Sequence, residues 1–149
     1  MVLTSSLRTL VFLTIALTSF GCQAIDNPDT PDYLEQFRSS ASSYEQAIYD
    51  TARTSAEIME AYREYVGFLE EELATATSAV EAELSGSERG VFDKARNAWD
   101  AYLAAEKAFV STVWTAQNFG SSSAVSRLAF YADVLKSRVE LLQKYRLQF

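Results

Sequence analysis

From Asp32 to Phe149 this 149-residue chain contains no proline, and its glycines there are only Gly67, Gly86, Gly90 and Gly120. Without proline, nothing in that stretch must interrupt an i→i−4 hydrogen-bond ladder. Apolar side chains recur in steps of three and four, and strand-like alternation is absent. This spacing lays an apolar stripe along each of several helices and predicts an all-α fold.

The first stripe runs through Tyr44, Ile48, Thr51, Ser55, Ile58, Tyr62, Tyr65, Leu69, Leu73, Ala76, Val80 and Leu84. Ser39-Ser40 and Ser42-Ser43 are expected to separate it from a preliminary helix begun at Pro31 or Asp32. At 1.5 Å per residue, unbroken helix from Asp32 to Leu84 would far overhang its partners. The segment before about Thr54 is therefore expected to bend or fold back. Gly67 inside the stripe costs about 1 kcal/mol relative to alanine, and nothing near it marks a stop.

Ser85-Gly-Ser-Glu88 has the spacing of a capping box, in which serine and glutamate satisfy each other's orphan backbone donors. It starts a second helix carrying Phe92, Ala95, Trp99, Tyr102, Glu106, Phe109 and Val113. Asn118–Ser123 breaks that helix, and a third carries Ala124, Leu128, Tyr131, Leu135, Arg138, Leu142 and Tyr145. Stripes joined by short turns must bury one another. The expectation is an antiparallel bundle of three main helices with an additional N-terminal helical segment. Tyr62, Trp99, Tyr102 and Phe109 then form its aromatic core.

Glu106 and Arg138 occupy stripe positions where the pattern calls for apolar residues. A turn centred near 121 or 122 sets 106 opposite 138, Phe109 near Leu135 and Val113 near Tyr131. The same arithmetic at the Ser85–Glu88 turn brings Tyr65 near Glu106. The pattern predicts a structural polar cluster of Tyr65, Glu106 and Arg138, which would cost about 3–5 kcal/mol to break if buried. A catalytic or ligand-binding carboxylate is the alternative, but no second acid and no histidine stands in register with Glu106.

Composition narrows the function. There is no histidine, so the commonest general base and metal ligand is missing. Cys22 is the only cysteine, which leaves no internal disulfide and no thiolate metal site. No cofactor, no metal and no catalytic residues are expected, and the chain reads as a binder and not as an enzyme. Twenty acidic residues against 13 basic ones give a net charge of −7, unsuited to binding nucleic acid or anionic lipid by charge. A basic protein partner fits that balance. Glu70-Glu71-Glu72 with Glu81 and Glu83 is either an acidic docking face or a solvated one.

The N-terminal run Leu10–Phe20 follows Arg8 and ends at Gly21-Cys22, the build of a secretion signal. It is shorter than the roughly 20 apolar residues that span a bilayer. The expected organisation is a signal peptide over 1–21, a flexible tether over 22–31 and a helical domain over 32–149. Cys22 is the candidate lipidation site of a bacterial lipoprotein, whereas cleavage after Ala24 would discard it. Gln23 after the cysteine resembles an outer-membrane sorting signal, so the expected place is the cell envelope, anchored and facing the periplasm, or otherwise soluble there or secreted. Membrane contact is then only through the anchor or the leader. The oligomeric state is open.

The stretch Phe92-Asp-Lys-Ala-Arg-Asn-Ala-Trp99-Asp-Ala-Tyr102-Leu-Ala-Ala-Glu106 resembles the signature of the LprI-type lysozyme-inhibitor domain family, a helical L-x-x-A-Q-x-x-W-x-x-Y-R-x-x-E-C run. Ala56-Glu57-Ile58-Met59-Glu60-Ala61-Tyr62 looks like its A-E-L-N-x-x-Y helix, and Gly120-Ser121-Ser122 is similar to its Gly-Gly-Ser loop. Arg138 aligns with the arginine of its last helix. The likeness is strongest over 44–145. Leu103, Arg96 and Lys107 replace the motif's arginine, glutamine and cysteine, and Phe130 falls near the place of a second cysteine. Losing both cysteines is coherent, because one survivor would be an unpaired thiol in an oxidising compartment.

The resemblance implies a secreted or anchored protein that binds lysozyme and protects peptidoglycan. The candidate contact is the loop Asn118, Phe119, Gly120 and Ser121, with Phe119 protruding; the alternative is a plain connection with Phe119 folded inward. A second function class is an envelope interaction module for another protein partner, without inhibitor activity.

Overall fold

The computed structural model describes residues 31–50 and 54–149. The predicted signal peptide, Cys22 and the tether up to residue 30 lie outside the described residues. Those that are described form an all-α bundle with no strand among them. Helix α1 spans Tyr33–Asp50, α2 Ser55–Glu83, α3 Gly86–Val113, the single-turn α4 Ala116–Phe119, and α5 Ser123–Arg146.

The four serines at 39, 40, 42 and 43 do not break the chain; they lie inside α1. Serine costs only about 0.5 kcal/mol relative to alanine in a helix, and α1 buries Phe37, Ala41 and Ile48 along one side. Packing outweighs propensity. The Asp32 carboxylate accepts the Glu35 N–H at 2.8 Å and caps the start. The reversal falls instead between α1 and α2. Thr54 caps α2, accepting the Glu57 N–H at 3.2 Å while its own N–H donates to the Glu57 carboxylate at 2.8 Å. As expected, the chain folds back before Thr54, and α2 runs through Gly67 unbroken.

At the next turn the Glu88 carboxylate accepts the Ser85 N–H at 3.2 Å and the Ser85 hydroxyl at 3.0 Å, the predicted box. Helix α3 stops at Val113, the last residue of its stripe and five residues before the predicted break at Asn118. Thr115 accepts the Asn118 N–H and opens α4, and a 3₁₀ turn at Gly120–Ser122 leads into α5. Gly120 has φ +69°, a backbone region that side-chain-bearing residues avoid.

Side-chain contacts fix the directions. Phe37 stacks on Phe68 and Tyr44 on Tyr65, with centroids 6.1 and 5.9 Å apart, so α1 and α2 are antiparallel. The Tyr131 hydroxyl donates to Glu70 at 2.7 Å, and Leu142 packs with Ala76 and Val80. Helices α2 and α5 therefore run parallel, although α3 and α4 lie between them in sequence. They form the central pair, with Leu69, Val80, Leu135, Val139 and Leu142 fully buried. Each such side chain contributes about 1.5–3 kcal/mol of apolar transfer.

The buried line of α5 is Ala132, Leu135, Val139 and Leu142. Arg138 therefore stands on its flank and not on the stripe where the sequence put it. The other long helix, α3, is the lightly packed member and buries only Phe92 and Val110.

Candidate interaction surface

Helix α3 sends one line of side chains inward. Phe92 and Val110 are buried, and half-buried Trp99 and Leu103 pack against the main core. A neighbouring line, Val91, Ala95, Ala98, Tyr102, Ala105 and Phe109, is spaced by fours and threes and stays in water. Val91 is 68% exposed, Tyr102 50% and Phe109 59%. Tyr102 and Phe109 are thus not core residues, contrary to the sequence expectation. At 3.6 residues per turn, positions three beyond Trp99 and one before Val110 turn well away from a single buried line. Burying both lines needs a second neighbour on that side, and this chain supplies none among the described residues.

The predicted Tyr65–Glu106–Arg138 cluster does not form. The Arg138 guanidinium lies over the Trp99 ring, 5.4 Å from its centroid, and the Lys107 ammonium lies 3.9 Å from the Tyr131 ring centre. The connection between α3 and α5 is centred near 118, not 121 or 122, because α3 ends at Val113. That shift moves Arg138 about two helical turns along α3, from Glu106 to Trp99. Glu106 is half-buried and makes no hydrogen bond or ion pair among the described residues. It shares the outward side of α3 with Tyr102 and Phe109, four and three residues away.

Tyr65 is 3% exposed and donates its hydroxyl to Glu45 Oε1 at 2.8 Å. The Lys136 ammonium reaches the same oxygen at 2.7 Å. Burial pushes the Glu45 carboxyl up, but the hydrogen bonds from Lys136 and Tyr65 outweigh it and hold the carboxyl below the ordinary glutamate range. Two turns away along α1, Arg38 grips Glu140 through both carboxylate oxygens, at 3.0 and 3.2 Å, and this lowers the Glu140 carboxyl as well. Sequence reasoning missed this belt. Its trace is the seven-residue step from Arg38 to Glu45 against the four-residue step from Lys136 to Glu140, two complementary pairs on antiparallel helices.

Tyr62 is half-buried against the main core, as expected of a core aromatic. Phe119 is 50% exposed with its ring tilted against Trp114 at 6.0 Å, so it neither protrudes freely nor folds fully inward. Within the loop, Asn118 Nδ2 donates to the Val113 carbonyl at 2.9 Å and the Ser122 hydroxyl to the Phe119 carbonyl at 3.2 Å. Gly120 and Ser121 are exposed. In the acidic run, Glu70 is engaged by Tyr131 and Glu81 by Arg96, while Glu71 and Glu83 face solvent.

No helix among the described residues is long and apolar enough to cross a membrane. No protein-family model, curated protein or solved structure matches the chain.

Proposed function

We propose that this chain is an exported protein-binding module of the bacterial cell envelope, anchored at Cys22, that docks a basic protein through the outward face of α3. The observation that carries the reading is the exposed line Val91, Tyr102 and Phe109, with Glu106 between the last two, a carboxylate with no partner among the described residues. Exposed aromatics around an uncommitted acid suit a partner that offers an apolar patch and a lysine or arginine. The chain's net charge of −7 would steer such a partner to it. Lysozyme is a strongly basic protein, and it is the partner implied by the resemblance of Phe92–Glu106 to the LprI-type signature. Docking there would shield peptidoglycan from hydrolysis without any chemistry by this chain.

The experiment is a lysozyme assay with the purified protein at low and high salt. Stoichiometric inhibition that weakens with salt, and that is lost in Tyr102→Ser, Glu106→Gln and Phe109→Ser, is the expected result. Absence of inhibition, with a different envelope protein crosslinked through α3, would replace lysozyme as the partner but keep the docking face. Inhibition unchanged in all three variants would remove that face.

A further inference from the structure

A groove of about 480 Å³ opens between the C-terminal half of α2, the N-terminal half of α3 and the end of α5. Its wall is mostly apolar, with Val80, Leu84, Phe92, Ala95 and Tyr145 along it. Two charged side chains reach it, Glu88 and Arg138. Glu88 is committed, because its carboxylate accepts the Ser85 N–H and hydroxyl that begin α3. Arg138 is not: it rests on the Trp99 ring, half-buried, and makes no hydrogen bond or ion pair among the described residues. A second groove, bounded by Trp99, Phe130 and Leu141, also has Arg138 in its wall.

We infer that this groove binds a single-chain amphiphilic anion, a fatty carboxylate with its head on Arg138 and its hydrocarbon tail along Leu84, Val91 and Ala95. The volume falls in the range of about 300–1,000 Å³ typical of small-molecule sites, which are mostly apolar with a few placed polar groups. The head-group chemistry follows from charge. On a chain of net charge −7, the charged side chain of the groove that has no hydrogen-bond or ion-pair partner among the described residues is a cation. A guanidinium presents paired donors that match both oxygens of a carboxylate. The tail replaces water against the aliphatic wall. This inference does not rest on the protein partner proposed above, although Val91 and Ala95 border both the groove and the outward line of α3.

The test titrates dodecanoate, below its micellar concentration, into the purified protein. Trp99 lies under Arg138, so tryptophan fluorescence reports binding, with far-UV circular dichroism recorded in parallel. The expected result is saturable one-to-one binding at least about tenfold tighter than that of dodecyltrimethylammonium. Arg138→Gln should weaken dodecanoate by about tenfold while leaving dodecanol within about twofold. Ala95→Trp, a change at an exposed position that fills the groove, should weaken both ligands by about tenfold. Equal affinity for the cationic and anionic amphiphiles, unchanged dodecanoate binding in Arg138→Gln, or no saturable binding would overturn the inference. If Arg138→Gln loses helix content, Ala95→Trp decides, and full dodecanoate affinity in that variant overturns it.

Discussion

The Tyr65 hydroxyl and the Glu45 carboxylate meet across the α1–α2 interface at 2.8 Å, and the oxygen they share also receives Lys136 from α5 at 2.7 Å. One carboxylate oxygen thus ties the distant helix α5 to the chain neighbours α1 and α2. Tyr65→Phe removes a single hydrogen bond and leaves Glu45 paired with Lys136, so a loss of about 1 kcal/mol is expected. Tyr65→Ala also removes a buried ring and should cost about 3–5 kcal/mol, as other buried aromatics do. Urea denaturation of both variants separates the hydroxyl's share from the ring's.

Acid should loosen the same belt. The Glu45 and Glu140 carboxyls are both held below their ordinary range in the folded protein. A carboxyl with a depressed folded pKa contributes stability above its unfolded value, near about 4.3 for glutamate. That contribution disappears as pH falls through the lower folded value. Denaturation midpoints measured from pH 7 down to pH 3 should therefore drop on the acid side. In Glu45→Gln and Glu140→Gln that drop should be shallower, and an acid limb as steep as the parent's would contradict this assignment.

The helix register is testable by coupling. Arg138 lies over Trp99, and a cation–ring contact of this kind is worth about 0.5–1 kcal/mol. A double-mutant cycle between Arg138 and Trp99 should return a coupling of that size. The cycle between Arg138 and Glu106 should return roughly zero, because separated residues behave additively. A strong Arg138–Glu106 coupling would restore the ion pair expected from sequence.

Core and surface apolar residues should part company under substitution. Leu135 is 1% exposed, and Leu135→Ala should cost about 2–5 kcal/mol. Tyr102→Ser and Phe109→Ser, on the open side of α3, should stay within about 0.5–1 kcal/mol of the parent. Thermal melts of these three variants check whether the outward line of α3 is free in the isolated chain.

Much of the architecture is written locally. Ser85 and Glu88 announce the start of α3, and Thr54-Ser-Ala-Glu57 repeats the same cap signal for α2, so the fold-back before α2 has a readable cause. The error at the serines of α1 is equally physical, since weak propensities lose to Phe37, Ala41 and Ile48 once those are buried. The site was less legible. Its register depends on where α3 stops, and Trp114-Thr115-Ala116-Gln117 contains neither glycine nor proline to mark the stop at Val113. The Glu45–Lys136 and Arg38–Glu140 pairs join helices that are not chain neighbours. Helical periodicity identifies a face, but not which distant helix will cover it.

The parallel pairing of α2 with α5 also governs when this protein can become itself. Arg38 finds Glu140 across 102 residues, and Glu70 finds Tyr131 across 61. Such distant closures are entropically late events. A ribosome-bound chain still lacking Ser123–Arg146 leaves uncovered the side of α2 that packs on α5, even when the α1–α2 hairpin has formed. Helix α5 acts as a latch that closes the bundle once its two dozen residues arrive.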